Sequence, residues 1–227
     1  MPKPFLKSDF KTADRDPMKK KKANKIDFDL KPFHDMVVFD LETTGLSTRF
    51  DDIIQIAAVR IFNGEIIEKS SYFSFIKPSG PISDFITAYT GISNEHVKNA
   101  PLPKKVLLEF SKYCKDSLLV AHNGQAFDLP FVRNVCERNK MEVRAVESVD
   151  SMHISWNVWG RKNVKSHNLD NVMNRLNITE KGIRRHDARG DVIVTAKCVQ
   201  QMVKEIKKTG KEISLNVNTS YLPVIKS

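Results

Sequence analysis

No window of the 227-residue chain approaches the roughly 20 consecutive apolar residues that a membrane span requires. Its lysine-rich start also lacks the apolar stretch of a secretory signal. Both absences predict an intracellular protein with no membrane contact: cytoplasmic in a bacterium, nuclear or cytoplasmic in a eukaryote. Cysteine is scarce. Cys114, Cys136 and Cys198 are odd in number, widely spaced and set in helical patterns, which argues against a disulfide framework or a zinc site and for buried free thiols. Acid is in short supply, with 27 Asp and Glu against 37 Lys and Arg. The resulting formal charge of +10 favours a polyanionic partner over a neutral or acidic one. No internal repeat is visible, and the 41% apolar content fits one ordinary globular core.

Residues 1–33 contain the run Lys19-Lys20-Lys21-Lys22 with scattered aspartates and few apolar residues, the composition of a flexible basic leader. The run reads by default as solvated, and its other readings are a phosphate-binding arm and a nuclear import signal. The core is expected over residues 34–210. Strand-like runs cover 36–42, 53–62 and 66–76, and Asn63-Gly64 between the last two is a hairpin signal because both residues tolerate positive φ. An antiparallel meander follows from these runs. Helix and strand then alternate: a stripe of Leu107, Phe110 and Cys114, a short strand at 117–121, a helix begun by Leu129, Val132 and Val135, and a strand near 146–149. The last helix carries Val192, Ala196, Val199, Val203 and Ile206 at steps of four and three. The expected architecture is α/β, a mixed five-stranded sheet of three antiparallel and two parallel strands flanked by helices. Residues 211–227 show no convincing period and are expected to form a tail that can pack back on the domain.

In "FDLETTG", Asp40 and Glu42 end an apolar run where a buried strand normally carries no acid. On an extended chain both point to one face, since side chains alternate. Two neighbouring carboxylates repel and resist desolvation, so a divalent cation is one explanation and a solvated turn through Thr43-Thr44-Gly45 the other. Asp128 opens a helix after the strand at 117–121, and Asp191 opens the last helix five residues after His186. Taken singly, a helix cap or a first-turn acid explains either aspartate. In a parallel strand-helix arrangement such positions gather at the carboxyl ends of adjacent strands, where sites on open sheets are built.

Three motifs in order, D-L-E-T-T-G, H-N-x-x-x-F-D and H-x-A-x-G-D, resemble those of the DEDDh branch of the DnaQ-like 3′ to 5′ exonucleases, whose fold is RNase H-like. The resemblance covers about residues 36–208, and "TAYTGIS" at 87–93 is similar to a segment found between the first two motifs of many members. It implies that Asp40, Glu42, Asp128 and Asp191 hold two Mg²⁺ or Mn²⁺ ions and that His186 is the general base. It further implies substrate contacts at Leu41, Thr43, Leu46, Tyr89, His122 and Phe127. The three residues between His122-Asn123 and Phe127-Asp128, and the HDARGDV segment, look more like the TREX-type repair enzymes than bacterial proofreading subunits, which often have two. The implied substrate is the 3′ end of single-stranded nucleic acid, DNA ahead of RNA, with a polymerase or a second copy of the chain as protein partner. An exoribonuclease keeps the chemistry and changes the substrate. A silent exonuclease fold used only for binding is disfavoured, because all four acids and the histidine are present.

Overall fold

The computed structural model describes residues 24–26, 31–179, 187–209 and 213–225. The Lys19–Lys22 run, most of the expected leader and His186 lie outside these residues. The chain runs β1 (Asn24–Ile26), β2 (Asp35–Thr43), β3 (Ile53–Phe62), β4 (Glu65–Phe75), α1 (Asp84–Thr90), α2 (Asn94–Val97), α3 (Pro103–Cys114), β5 (Leu118–Ala121), α4 (Asp128–Arg138) and β6 (Val143–Asp150). It continues through α5 (Ser151–Trp159), α6 (Leu169–Arg175), α7 (Ala188–Thr209), β7 (Ile213–Leu215) and β8 (Asn218–Pro223).

The main sheet has the order β4-β3-β2-β5-β6-β8. Its β2-β3-β4 part is the antiparallel meander expected from the three runs, and its hairpin turns on Asn63 at φ +50° and Gly64 at φ +82°. Next to it β2, β5 and β6 are parallel, joined by α-helical crossovers. β2 is therefore central, and its alternation serves two cores. Met36 and Val38 face α7, whose Val192, Ala196, Val199, Val203 and Ile206 are all buried in the same cluster. Val37, Phe39 and Leu41 face the other way, against Leu107 and Phe110 of α3 and Val132 and Val135 of α4. Each such aliphatic or aromatic side chain contributes about 1.5–3 kcal/mol on leaving water.

The sheet has six strands where five were expected. β8 lies in the segment expected to be a tail and pairs antiparallel with β6, Ser148 opposite Asn218 and Val143 opposite Pro223. Ser220 and Leu222 point inward. A serine at an inward position breaks the apolar alternation that marks a strand in sequence. Its burial is tolerated because its Oγ lies 2.7 Å from that of Ser148, so neither hydroxyl is stranded. The Ser111 hydroxyl of α3 donates to the Pro223 carbonyl at 2.7 Å and closes this edge. β7 pairs with β1 in a separate two-stranded sheet, so Asn24–Ile26 of the expected leader is strand.

The segment 87–93 is a helix stop followed by a helix start. Thr90 donates from Oγ1 to the Ile86 carbonyl and accepts from the Ile92 amide, Gly91 takes φ +76°, and Ser93 is the N-cap of α2. The three cysteines are buried free thiols, and burial pushes Cys136 up to about 12. Among the described residues no helix is long and apolar enough to cross a membrane.

Candidate active site

Asp40 and Glu42 leave β2 on the face that carries Met36 and Val38, toward α7. Across the ladder they meet Ala57 and Gln55 of β3, and the register shifts immediately after Glu42. An alanine opposite Asp40 leaves room above it, and the irregularity ends regular pairing at the acids. Asp191 comes from the first turn of α7, where the helix dipole favours an acid. One carboxylate oxygen from each of Asp40, Glu42 and Asp191 lies within 4.8 Å of the others, and all three residues are buried. Two of the three separated motifs thus meet in space. Asp128, fully buried in the first turn of α4, is outside this close set. The parallel pairing of β5 with β2, Val120 beside Val38, brings the start of the Asp128 loop to the end of β2 that carries the acids.

The start of α7 is fixed by two groups. Gln55, 1% exposed and opposite Glu42, accepts the Ala188 amide at 2.8 Å through Oε1. The Asp187 carboxylate accepts the Arg189 amide at 3.0 Å and holds the Arg189 guanidinium at 2.7 Å. Arg189 also lies over the Phe73 ring at 4.7 Å. One side chain therefore spans from the strand beside Glu42 to the helix that delivers Asp191.

The segment between β5 and α4 is held by Asp150, at the end of β6. Its Oδ1 accepts the Asn123 and Met152 amides at 3.0 and 2.9 Å, and its Oδ2 accepts the Gln125 amide at 3.2 Å. Burial pushes the Asp150 carboxyl up to about 6, against the pull of these three amides. Gln125 Nε2 donates to Ser148 Oγ at 2.9 Å, and His122 Nδ1 lies 2.7 Å from Ser151 Oγ. Gly124 is required by close approach, since a Cβ there would sit 2.5 Å from that of Ala121. On the other side of β2, a Cβ at Gly45 would fall 2.4 Å from the Asp51 carboxylate, which accepts the Ser47 amide at 2.8 Å.

The expected substrate contacts divide. Leu46 is exposed on the loop after β2, while His122 and Tyr89 are half-buried. Thr43 is buried, and its hydroxyl donates to the Gly45 carbonyl at 2.5 Å. The Leu41 and Phe127 side chains are buried in the core on the face away from Asp40 and Glu42, which leaves the backbone at these two positions for any contact with a ligand. Leu41 follows the strand alternation, and Phe127 packs its ring 4.9 Å from Phe131 one helical turn on. Gln55 and Asp150 were not singled out in the sequence. Gln55 is signalled as a polar residue that interrupts the apolar start of β3, whereas Asp150 ends a strand that also carries Arg144, Glu147 and Ser148, so no local pattern sets it apart.

The model of the RNase_T exonuclease family matches residues 37–199. The chain belongs to the exonuclease family. Within it, the chain is 36% identical over 170 residues to a PolC-type DNA polymerase III of Streptococcus pneumoniae, covering 75% of this chain and 11% of that protein. Against the PolC-type DNA polymerase III of Caldanaerobacter subterraneus it is 34% identical over 185 residues, 82% of this chain and 13% of the polymerase. The chain thus spans only about an eighth of these relatives' length. In fold it is similar to cell-death related nuclease 4, with a TM-score of 0.69 at 19% identity over 83% of this chain and 67% of that one. The nuclease domain of 3′hExo, a DEDDh family member solved with rAMP, gives 0.65 at 18% identity over 81% and 96%. Family and fold thereby agree with the resemblance carried by the three motifs.

The donor set of this exonuclease-family site suits a hard divalent cation: among the described residues every converging atom is a carboxylate oxygen, with no sulfur or imidazole in the set. Two unit charges 4.8 Å apart repel by about 3 kcal/mol at an effective dielectric near 20. A cation offsets this repulsion.

Proposed function

We propose that the chain is a metal-dependent 3′ to 5′ exonuclease that shortens DNA from a free 3′ end and releases 5′-mononucleotides. The observation that carries this reading is the approach of three buried carboxylates, from β2 and α7, to within 4.8 Å in a chain of the exonuclease family. Asp40, Glu42 and Asp191, with Asp128 at the head of α4, would hold two Mg²⁺ or Mn²⁺ ions. When bound, these would offset the carboxylate charge and the charge that builds on the phosphate oxygens.

In the reaction a water oxygen forms a bond to the terminal phosphorus, the bond from phosphorus to the 3′ oxygen of the preceding nucleotide breaks, and that oxygen takes up a proton. His186, five residues before Asp191, is assigned the role of accepting the water's proton, for which an imidazole is suited near neutral pH. Gln55 and Asp150 act at one remove, the first holding the start of α7 and the second the loop that leads to Asp128. DNA is preferred to RNA because the 34–36% identical relatives are DNA polymerases by name, and the charge of +10 suits any polyanionic strand. By the same relationship a polymerase is the favoured protein partner.

The test is hydrolysis of 5′-labelled single-stranded DNA and RNA of matched sequence, with Mg²⁺, with Mn²⁺ and with EDTA. A ladder shortened from the 3′ end, on DNA and only with metal, is expected. Degradation of RNA alone would reassign the substrate. Binding without cleavage in either metal would overturn the proposal.

A further inference from the structure

Residues 151–169 contain Arg161, Lys162 and Lys165 and no acid. They also hold a half-buried tryptophan framed on three sides. The His153 ring lies 4.3 Å from that of Trp156, the Arg161 guanidinium stands 4.6 Å over it, and His167 meets it edge-on at 6.3 Å. Two of the three frame members are positioned by their surroundings. His167 Nδ1 lies 2.7 Å from Ser155 Oγ, which also donates to the Met152 carbonyl. Gly160, at φ +78°, ends α5 and turns the chain so that Arg161 comes back over the indole; a Cβ there would fall 2.5 Å from the Asn163 amide. Arg161, Lys162 and Lys165 are exposed. An oriented indole beside several solvent-facing cations is the composition of a single-strand binding platform, where bases stack and phosphates find positive charge.

Its position follows from the topology. β6 runs parallel to β5 and β2, so α5, which begins at the residue after β6, starts at the same end of the sheet as Asp40 and Glu42. Ile154 packs in the cluster of Met36, Val38 and α7, which puts α5 on the face toward which the acids point. Two strand spacings separate β2 from β6, about 10 Å, and Trp156 lies five residues along α5, about 7.5 Å further. That distance is a few nucleotides, too far for the reacting one and right for those preceding it. Ser151, at the head of α5, is also the partner of His122.

Resting on the exonuclease reading for its place along the strand, we propose that Trp156, with Arg161, Lys162 and Lys165, forms a subsite for single-stranded nucleic acid on the 5′ side of the scissile nucleotide. A base stacks against the indole of Trp156 and the Arg161 guanidinium that lies on it, and Lys162 and Lys165 contact the phosphates that flank the base. Recognition is of the strand and not of its sequence, because every base offers a π-face.

The test is equilibrium binding of a fluorescein-labelled thymidylate dodecamer to the full chain in EDTA, so that no turnover is needed. Trp156→Phe keeps a π-face and is expected to bind within about threefold of wild type, whereas Trp156→Leu is expected to lose about tenfold or more. Lys162→Gln with Lys165→Gln should lower the slope of log affinity against log salt by about 1.4, the value for two phosphate contacts on a single strand. Thermal melting of each variant verifies the fold, and the lysine pair tests the subsite even if Trp156→Leu does not fold. Equal losses in the Phe and Leu variants would show packing in place of stacking and overturn the proposal, as would an unchanged salt slope in the lysine variant. A wild-type chain that hydrolyses nothing yet shows these binding losses would overturn the exonuclease reading and leave the subsite standing.

Discussion

Replacing Gln55 tests whether the acids of β2 and α7 are held in register by one amide. Its Oε1 is the partner of the Ala188 amide, and Ala188 is fully buried. Gln55→Met keeps length and volume and removes the acceptor, so a buried N–H is stranded at a cost of about 1–3 kcal/mol. Part of that cost is offset, since among the described residues Gln55 Nε2 is itself buried without a hydrogen-bond partner. The net loss of stability should be about 1 kcal/mol, and the larger effect should fall on the site. Ala188 is three residues before Asp191, and a displacement of about 1 Å in a reacting constellation costs about a hundredfold in rate. Gln55→Glu keeps the acceptor and adds a carboxylate opposite Glu42, worth about 3 kcal/mol of repulsion at an effective dielectric near 20. A cation relieves that repulsion. The two variants should therefore diverge: Mn²⁺ affinity, read by electron paramagnetic resonance of the free ion, should weaken about tenfold in the Met variant and be equal or tighter in the Glu variant. Single-turnover hydrolysis should fall by about one to two orders of magnitude in the Met variant. Wild-type Mn²⁺ affinity and a rate within twofold in Gln55→Met would refute the view that this amide sets the spacing.

Asp40→Asn removes one charge of the 4.8 Å set; it should raise the melting temperature of the metal-free protein and abolish most of the Mn²⁺-dependent rise in melting temperature, alongside a rate loss of several orders of magnitude. Asp150 has a folded-state midpoint near 6, above its value in the unfolded chain, so the folded form holds the extra proton between about pH 4 and 6 and stability from this group falls as pH rises through that window. Urea unfolding should show the wild-type minus Asp150→Asn stability difference dropping by up to about 3 kcal/mol between those pH values, and parallel curves would refute it. His186→Ala should lower the single-turnover rate by about 10² to 10⁴ while DNA binding in Ca²⁺ stays near wild type, and the reverse pattern would make His186 a structural or substrate residue. Deleting residues 1–23, which include the Lys19–Lys22 run, should flatten the salt dependence of DNA binding and leave turnover at saturating substrate nearly intact.

Local chemistry was enough for part of this molecule. Asn63-Gly64 specifies its hairpin because few other residue pairs accept two positive φ values in succession, and the stripe from Val192 to Ile206 specifies α7 because its period is that of the helix. Asp40 and Glu42 were legible for the opposite reason: they break the rule that buried strands carry no charge, and only a shared function explains the breach. Other features depend on what folding sets beside them. Ser220 reads as polar loop until Ser148 is found 2.7 Å away, and Asn218–Pro223 is a strand because β6 offers an open edge. Leu41 and Phe127 sit within motifs that the resemblance assigns to substrate, yet alternation on β2 and the turn into α4 send both side chains to the opposite core. Gln55 lies 133 residues from the amide it accepts, and Asp150 more than twenty from the amides of Asn123 and Gln125. Sequence by itself determined the meander, the helices α3, α4 and α7 and the acids that need a cation, because those follow from neighbours along the chain. The tertiary structure decided which acids meet, which side chains the core takes and which polar groups hold the site, because burial and hydrogen bonding between distant residues exist only once the chain is folded.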